Sequence, residues 1–162
     1  MIIRKARIKD LESITEIYND AVKNTVATFD LEPKTVEEQL IWFREHSSKN
    51  PVIVAEQDGF VVGWAALSKY NTKCAYSNTT EISLYVKKEF QGRGIGKKLM
   101  EGIITEGKKV GVHVILARIT DGNKVSINLH EKFGFKHVGV LKQVGFKFGK
   151  YLDVYLMEKI LD

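Results

Sequence analysis

A mixed α/β sandwich of about seven strands and four helices is the fold class this sequence predicts, and three observations carry it. An alternating run, a glycine-rich turn, a run with helical spacing and a dense apolar run follow one another between Glu81 and Ile119, the order of a parallel crossover unit. Asp58-Gly59 sits between two apolar runs as a hairpin turn, and a second hairpin closes the chain near Gly149-Lys150. Hairpins together with one crossover unit give strands and helices in mixed order, an α+β or α/β sandwich. At 162 residues, with two prolines and no biased or repeated segment, residues 1–162 read as one domain with a real core.

The elements follow in order. Ile2 to Ala6 is a short strand, and Asp10 then caps a helix with Leu11, Ile14, Tyr18 and Val22 on its inner face. Thr25 to Asp30 leaves that helix as a loop toward Pro33. Thr35-Val36-Glu37-Glu38 is a capping box that opens a second helix through Leu40, Trp42 and Phe43. Val52 to Glu56 and Phe60 to Leu67 are the hairpin strands, and a polar connection from Ser68 to Thr80 leads to the strand ending at Val86. Ile95, Leu99 and Ile103 mark the third helix, and Val112 to Ile119 the buried parallel strand. In the fourth helix Asn123, Ser126 and His130 form a polar stripe, with Val125, Leu129 and Phe133 on an apolar one. Gly134 ends it, Phe135 to Leu141 is extended, and Gln143 to Phe148 pairs with Tyr151 to Met157.

Composition narrows the function. A charge of +5 favours an anionic partner, but the lysines are scattered and no basic block points to nucleic acid. No apolar run has the length of a signal peptide or a membrane span, so the expectation is a cytoplasmic protein. Cys74 is the single cysteine, and no histidine or cysteine pair at ligand spacing accompanies it, so no metal is expected.

Gln91-Gly92-Arg93-Gly94-Ile95-Gly96-Lys97 is the stretch with the clearest chemistry. Between a strand and a helix, alternate glycines let the backbone turn tightly and bring N–H groups to a ligand, while the helix start adds unpaired donors and a positive dipole end. Taken alone it is either a phosphate-binding turn or a tight connection. The spacing G-x-x-x-x-G-K-[ST] of a nucleoside-triphosphate loop is absent, and so is the G-x-G-x-x-G of a dinucleotide fold, because Lys97 stands where the third glycine belongs. The Asn123, Ser126, His130 stripe is, by periodicity alone, either a solvent-facing side or a second wall for the same ligand.

Gln91-x-x-Gly94-x-Gly96, followed by Asn123-x-x-Ser126-x-x-x-His130-x-x-x-Gly134-Phe135, resembles the acyl-coenzyme A site of the GNAT superfamily of N-acetyltransferases. Thr28-Phe29, Ala75-Tyr76, Thr80-Glu81, Tyr85-Val86, His130-Glu131, Gly145-Phe146-Lys147 and Asp153-Val154 narrow the resemblance to its phosphinothricin and methionine sulfoximine N-acetyltransferases. The chain departs from some of them at Phe148, Tyr151 and Leu152, where they carry histidine and tryptophan, which leaves the exact acceptor open.

The resemblance implies a mostly antiparallel sheet of about seven strands with a parallel central pair, acetyl-CoA as cosubstrate, a small amino-acid-like amine as acceptor, a homodimer, and a role in resistance to glutamine-synthetase inhibitors. It implies that Gln91, Gly92, Arg93, Gly94, Ile95, Gly96 and Lys97 hold the pyrophosphate, and that Leu84, Tyr85 and Val86 pair with the pantetheine arm like an added strand. Asn123 and Ser126 line that arm. Glu81, on the strand face of Ser83 and Tyr85, becomes the base, acting through water. A free N–H near Val86, exposed by strands that splay apart, would meet the charge that develops on the acetyl oxygen. His130 is the expected proton donor to the departing thiolate, with Tyr85 or Tyr76 as alternatives. Thr28, Phe29, Tyr76, Thr80 and Lys147 are the candidate acceptor residues, with Trp64, Tyr70 and Lys69 as further possibilities. Competing readings are a protein N-terminal or lysine acetyltransferase and a noncatalytic acyl-CoA-binding module.

Overall fold

The computed structural model describes residues 1–46 and 48–162. Among them, β1 (Ile2–Lys5), β2 (Val52–Gln57), β3 (Phe60–Lys69), β4 (Thr79–Val86), β5 (Val114–Thr120), β6 (Lys136–Lys147) and β7 (Lys150–Ile160) form one sheet in the order β1-β2-β3-β4-β5-β7-β6. The β4–β5 pair is parallel and every other neighbouring pair is antiparallel. The helices are α1 (Leu11–Asn24), α2 (Val36–Glu45), α3 (Ile95–Lys109) and α4 (Lys124–Lys132).

Helices cover both faces, so the central strands are apolar on both sides and read as continuous rather than alternating runs. In β2, Val52 and Val54 pack with Leu11, Ile14 and Ile17 of α1. Ile53 and Ala55 turn the other way, toward Leu99, Met100 and Ile103 of α3. The same two-residue period divides β4, where Ile82 and Leu84 belong to the α3 side and Tyr85 to the α1 side.

Local chemistry sets several boundaries. Thr35 Oγ1 accepts from the Glu38 amide at 3.1 Å and Glu38 Oε2 from the Thr35 amide at 3.0 Å, so the expected capping box opens α2. Asp58 and Gly59 adopt φ of 52° and 84°, the primed turn that matches strand twist. Asp10 stands at the start of α1 but gives it no side-chain cap. Its buried carboxylate instead accepts from the Arg7 amide at 2.7 Å and from the Arg4 guanidinium at 2.8 and 2.9 Å. That pairing holds the Asp10 pKa below the usual carboxylate range despite burial.

The last strands differ from expectation in two details. Phe135 to Leu141 and Gln143 to Phe148 belong to one strand, β6, kinked where Gln143 takes φ of 55° and its amide donates to Asp153 Oδ1 at 2.8 Å. The closing turn is Phe148-Gly149, both with positive φ, so Lys147 pairs with Lys150. Among the described residues no helix is long and apolar enough to cross a membrane.

Candidate active site

Strands β4 and β5 are in register only from Thr79–Val114 to Glu81–Leu116. Beyond that point β4 stays with β3 while β5 follows β7, and a cleft opens between them. Its volume is about 840 Å³, and its wall includes Glu81 to Tyr85, Ala117 to Thr120, Asn123, Ser126 and His130. The Lys87 amide donates to Val62 at 2.8 Å, so strand alternation turns residues 85 and 83 toward β3 and residues 84 and 86 toward the gap. Leu84 and Val86 thus present the outward peptide groups. The peptide of Tyr85 faces β3, which corrects its expected pairing with a bound arm, although its ring lines the cleft.

The glycine turn stands at the open end of this gap. Gly92 and Gly94 have φ of 75° and 80°, a region that side chains with a Cβ adopt only at a cost, and Gly94 is the N-cap of α3. Among the described residues the amides of 92 to 97 take no backbone acceptor, and the first inward bond is Lys98 to Gly94 at 3.2 Å. The start of this 15-residue helix therefore carries free donors, on a turn whose residues 92 to 94 are exposed. Gln91 Nε2 donates to Val86 O at 3.0 Å and fixes the turn to the end of β4. Arg93 lies over Phe90 at 5.2 Å and stays exposed, as does Lys97. Gly96 lies against Leu84 and Leu129, which joins the turn to the cleft wall.

Across the gap, Asn123 caps α4 by accepting the Ser126 amide at 3.3 Å. The polar stripe faces inward: His130 is 4% exposed, whereas Val125, on the expected apolar stripe, is 82% exposed. His130 Nδ1 lies 2.7 Å from Ser126 O, and since a carbonyl only accepts, Nδ1 carries the proton. Nε2 is buried without a partner among the described residues. Burial lowers the pKa, so the ring is neutral with a lone pair at Nε2. A neutral ring whose single N–H is held by Ser126 does not fit the proton-donor role expected of His130.

On the opposite face stands Glu81. Both of its carboxylate oxygens take hydrogen bonds from Arg118, through Nε and through Nη2, the latter at 2.8 Å. Glu81 in turn raises the Arg118 pKa. Thr28, Phe29 and Asp30 wall the cleft with Tyr18, Trp42, Trp64 and Tyr85. Tyr18 donates to Asp30 and lies 3.0 Å from Thr28 Oγ1. Trp64, 2% exposed, is a packing centre between Trp42 and Tyr85 at ring distances of 5.3 and 5.1 Å.

Three expected acceptor residues lie elsewhere. Thr80 is 2% exposed and by alternation faces away from Glu81, so its hydroxyl does not reach the cleft. Lys147 is buried and donates to Thr28 O at 2.8 Å, which makes it a strap for the Thr28 loop. Tyr76 meets Tyr70 edge to face at 5.3 Å outside this chain's cleft wall. Sequence reasoning missed Arg118, Asp30 and Tyr18 as wall residues, and only the inward position of Tyr18 on α1 had a periodic signal.

Free amides at a left-handed turn suit a pyrophosphate, and two outward peptide groups on a splayed strand suit an amide-bearing arm, so the fold and site define an acyltransferase that takes its donor from coenzyme A. Residues 11–135 match the family model described as Acetyltransferase (GNAT) family, and the chain belongs to that family. It is an acetyl-CoA-dependent N-acetyltransferase. The L-methionine sulfoximine/L-methionine sulfone acetyltransferase of Salmonella typhimurium is 37% identical, covering 100% of this chain and 95% of the relative. The phosphinothricin N-acetyltransferase of Streptomyces coelicolor is 36% identical over 98% and 95%. A Brucella melitensis structure described as ribosomal-protein-alanine N-acetyltransferase superposes with a TM-score of 0.96 at 40% identity, covering 99% of this chain and 100% of that one. A Salmonella typhimurium acetyltransferase, yncA, solved with its cofactor acetyl-CoA, gives 0.96 at 37% identity over 99% and 94%.

Proposed function

We propose that this enzyme acetylates the α-amine of a small amino-acid-like substrate of the methionine sulfoximine, methionine sulfone or phosphinothricin type, with Glu81 as base. The observation that carries the reading is the cleft itself: Glu81 stands where β4 leaves β5, in a wall of aromatic and hydroxyl groups whose acids Glu81, Asp30 and Glu38 each already accept a hydrogen bond, from Arg118, Tyr18 and the Thr35 amide. An acidic, open surface for a protein substrate is not what these pairings make. The names of the Salmonella and Streptomyces relatives support the same acceptor class.

Bound acetyl-CoA supplies an activated acetyl thioester. The free amides of 92 to 97, with Arg93 and Lys97, would hold the pyrophosphate; the outward Leu84 carbonyl and Val86 amide would hold the pantetheine, the Val86 carbonyl being taken by Gln91, and Asn123 and Ser126 would form its far wall. An α-amine with a pKa of roughly 8 is about one-tenth neutral at pH 7, so the acceptor must shed a proton before or during attack. Glu81 receives it, directly or through one water. The Leu84 amide, turned to the gap three residues along β4 from Glu81, would meet the negative charge that develops on the acetyl oxygen; the Val86 amide, about 16 Å along the strand from Glu81, is too far away to share one acceptor with it. Tyr85, whose pKa burial pushes up to about 12, keeps its proton at neutral pH; its hydroxyl, on the strand face of Glu81, donates to Ala27 O over a long 3.5 Å and would turn from that carbonyl to return a proton to sulfur in place of His130.

Glu81→Gln is expected to lower kcat about 100-fold with an unchanged acetyl-CoA KM. A variant whose pH–rate profile matches the wild type removes Glu81 as base. The name of the Brucella relative favours a second reading, a protein N-terminal amine as acceptor. A panel of phosphinothricin, methionine sulfoximine, methionine sulfone and N-terminal peptides, followed by thiol release, separates the two.

The reading includes a cytoplasmic homodimer that protects against glutamine-synthetase inhibitors. Val138, Val140, Val144, Phe146, Phe148 and Tyr151 are 40–67% exposed along β6, β7 and the turn between them, an apolar face that a second copy would cover. Sedimentation of a monomer at micromolar concentration would refute that part.

A further inference from the structure

Arg118 has a place in the cleft that the fold does not require. Ala117 and Ile119 pack into the core beside α3, so alternation turns Arg118 to the opposite face, the face of Glu81. Arg118 lies two residues beyond Leu116, the last β5 residue in register with β4, and its side chain crosses the gap where the strands part. Its side chain is 64% exposed and that of Glu81 23%. An ion pair this open to solvent contributes only about 0–1 kcal/mol to stability, too little for its two-point geometry to be a stability device. Both guanidinium contacts use Nε and Nη2, leaving Nη1 uncommitted among the described residues.

The other cations near the acceptor are engaged. Lys34 lies 4.0 Å from Asp30, and Lys147 is bound to Thr28 O. An α-amino acid carries an anion and a cation on one carbon. The Arg118–Glu81 pair presents the complementary cation and anion side by side, and a guanidinium fork matches a carboxylate edge in a way an ammonium does not.

We propose that Arg118 is a specificity-determining residue: its free guanidinium edge binds the carboxylate of an amino-acid acceptor while the Glu81 it holds receives the α-amine. This rests on the reading of Glu81 as the acceptor-side base. Arg118 therefore makes the enzyme select amino acids over simple amines and amides, and it positions the base in the same contact.

The test compares the best amino-acid acceptor, for example methionine sulfone, with its primary amide, in wild type, Arg118→Ala and Arg118→Lys. In Arg118→Ala the acid-to-amide ratio of kcat/KM is expected to fall about 10- to 100-fold, mainly through the KM of the acid, with Arg118→Lys between the two. Any change in Glu81 basicity or in intrinsic amine pKa acts on both acceptors and cancels in the change of ratio. Equal loss on acid and amide, or an unchanged ratio in both variants, overturns the role of Arg118 while leaving the acceptor class standing. Failure of the wild type to acetylate any small amino acid overturns the acceptor reading itself, and Arg118 with it. Melting curves of both variants should match the wild type, since the side chain is largely solvent-exposed.

Discussion

Gly145→Ala is the perturbation that most directly probes how the acceptor side is built. Gly145 is buried in β6, and a Cβ there would lie 2.2, 2.4 and 2.9 Å from the Cε2, Cζ and Cδ2 atoms of Phe29, where ordinary contact begins near 3.4 Å. The overlap exceeds 1 Å against backbone-anchored β6, so the Phe29 ring must swing out. Its neighbour Thr28 is tied to Lys147 through its carbonyl and to Tyr18 through its hydroxyl, and the loop moves as a unit. Overpacking of this kind costs about 1–3 kcal/mol. For 162 residues, an unfolding entropy of about 2.1 cal/mol/K per residue converts this to a fall in Tm of about 3–9 °C. Because Phe29, Thr28 and Asp30 wall the acceptor side, the acceptor KM should rise while the acetyl-CoA KM holds. Scanning calorimetry and steady-state kinetics read both. Phe29→Ala removes the obstacle, so adding Gly145→Ala to it should cost less than about 0.5 kcal/mol. A full penalty in the double variant would refute the clash with Phe29 as the cause.

Two further outcomes follow from the site. Gly94→Val places a β-branched residue at a φ of 80°, where the strain is backbone torsion because an added Cβ meets nothing within 4 Å; the acetyl-CoA KM should rise at least about tenfold, and ordinary cofactor affinity would remove the pyrophosphate role of the turn. Burial lowers the His130 pKa, so the unfolded chain binds more protons than the folded one between the folded value and about 6.5, and stability is complete above that range and falls as pH drops through it. His130→Gln should narrow the Tm difference between pH 8 and pH 5.5, with His46, also lowered by burial, retaining its own share. An undiminished difference would exclude His130 as a source of the acid sensitivity.

How much was legible depended on how local the physics is. Thr35 with Glu38, Asp58 with Gly59, and the alternate glycines of 92 to 96 act through the backbone of their own few residues, and each stands in the structure as its spacing predicts. The kink at Gln143 depends on Asp153, a residue of the paired strand, and a local reading divides β6 in two. The inward turn of His130 and the exposure of Val125 depend on where α4 sits against Phe135 and Leu84, which helical periodicity does not specify.

The order of strands and helices, the turn that offers free amides and the motifs of an acetyl-CoA-dependent family can all be read along the chain. Which side chains meet at the acceptor is set by how distant strands and loops pack. Glu81 and Arg118 are 37 residues apart in sequence, and Thr28 and Lys147 are 119 apart. Such pairs form because β4 and β5 are held together for three residues and then part, with loop and hairpin folded over the opening, and no local propensity encodes the distance across that gap.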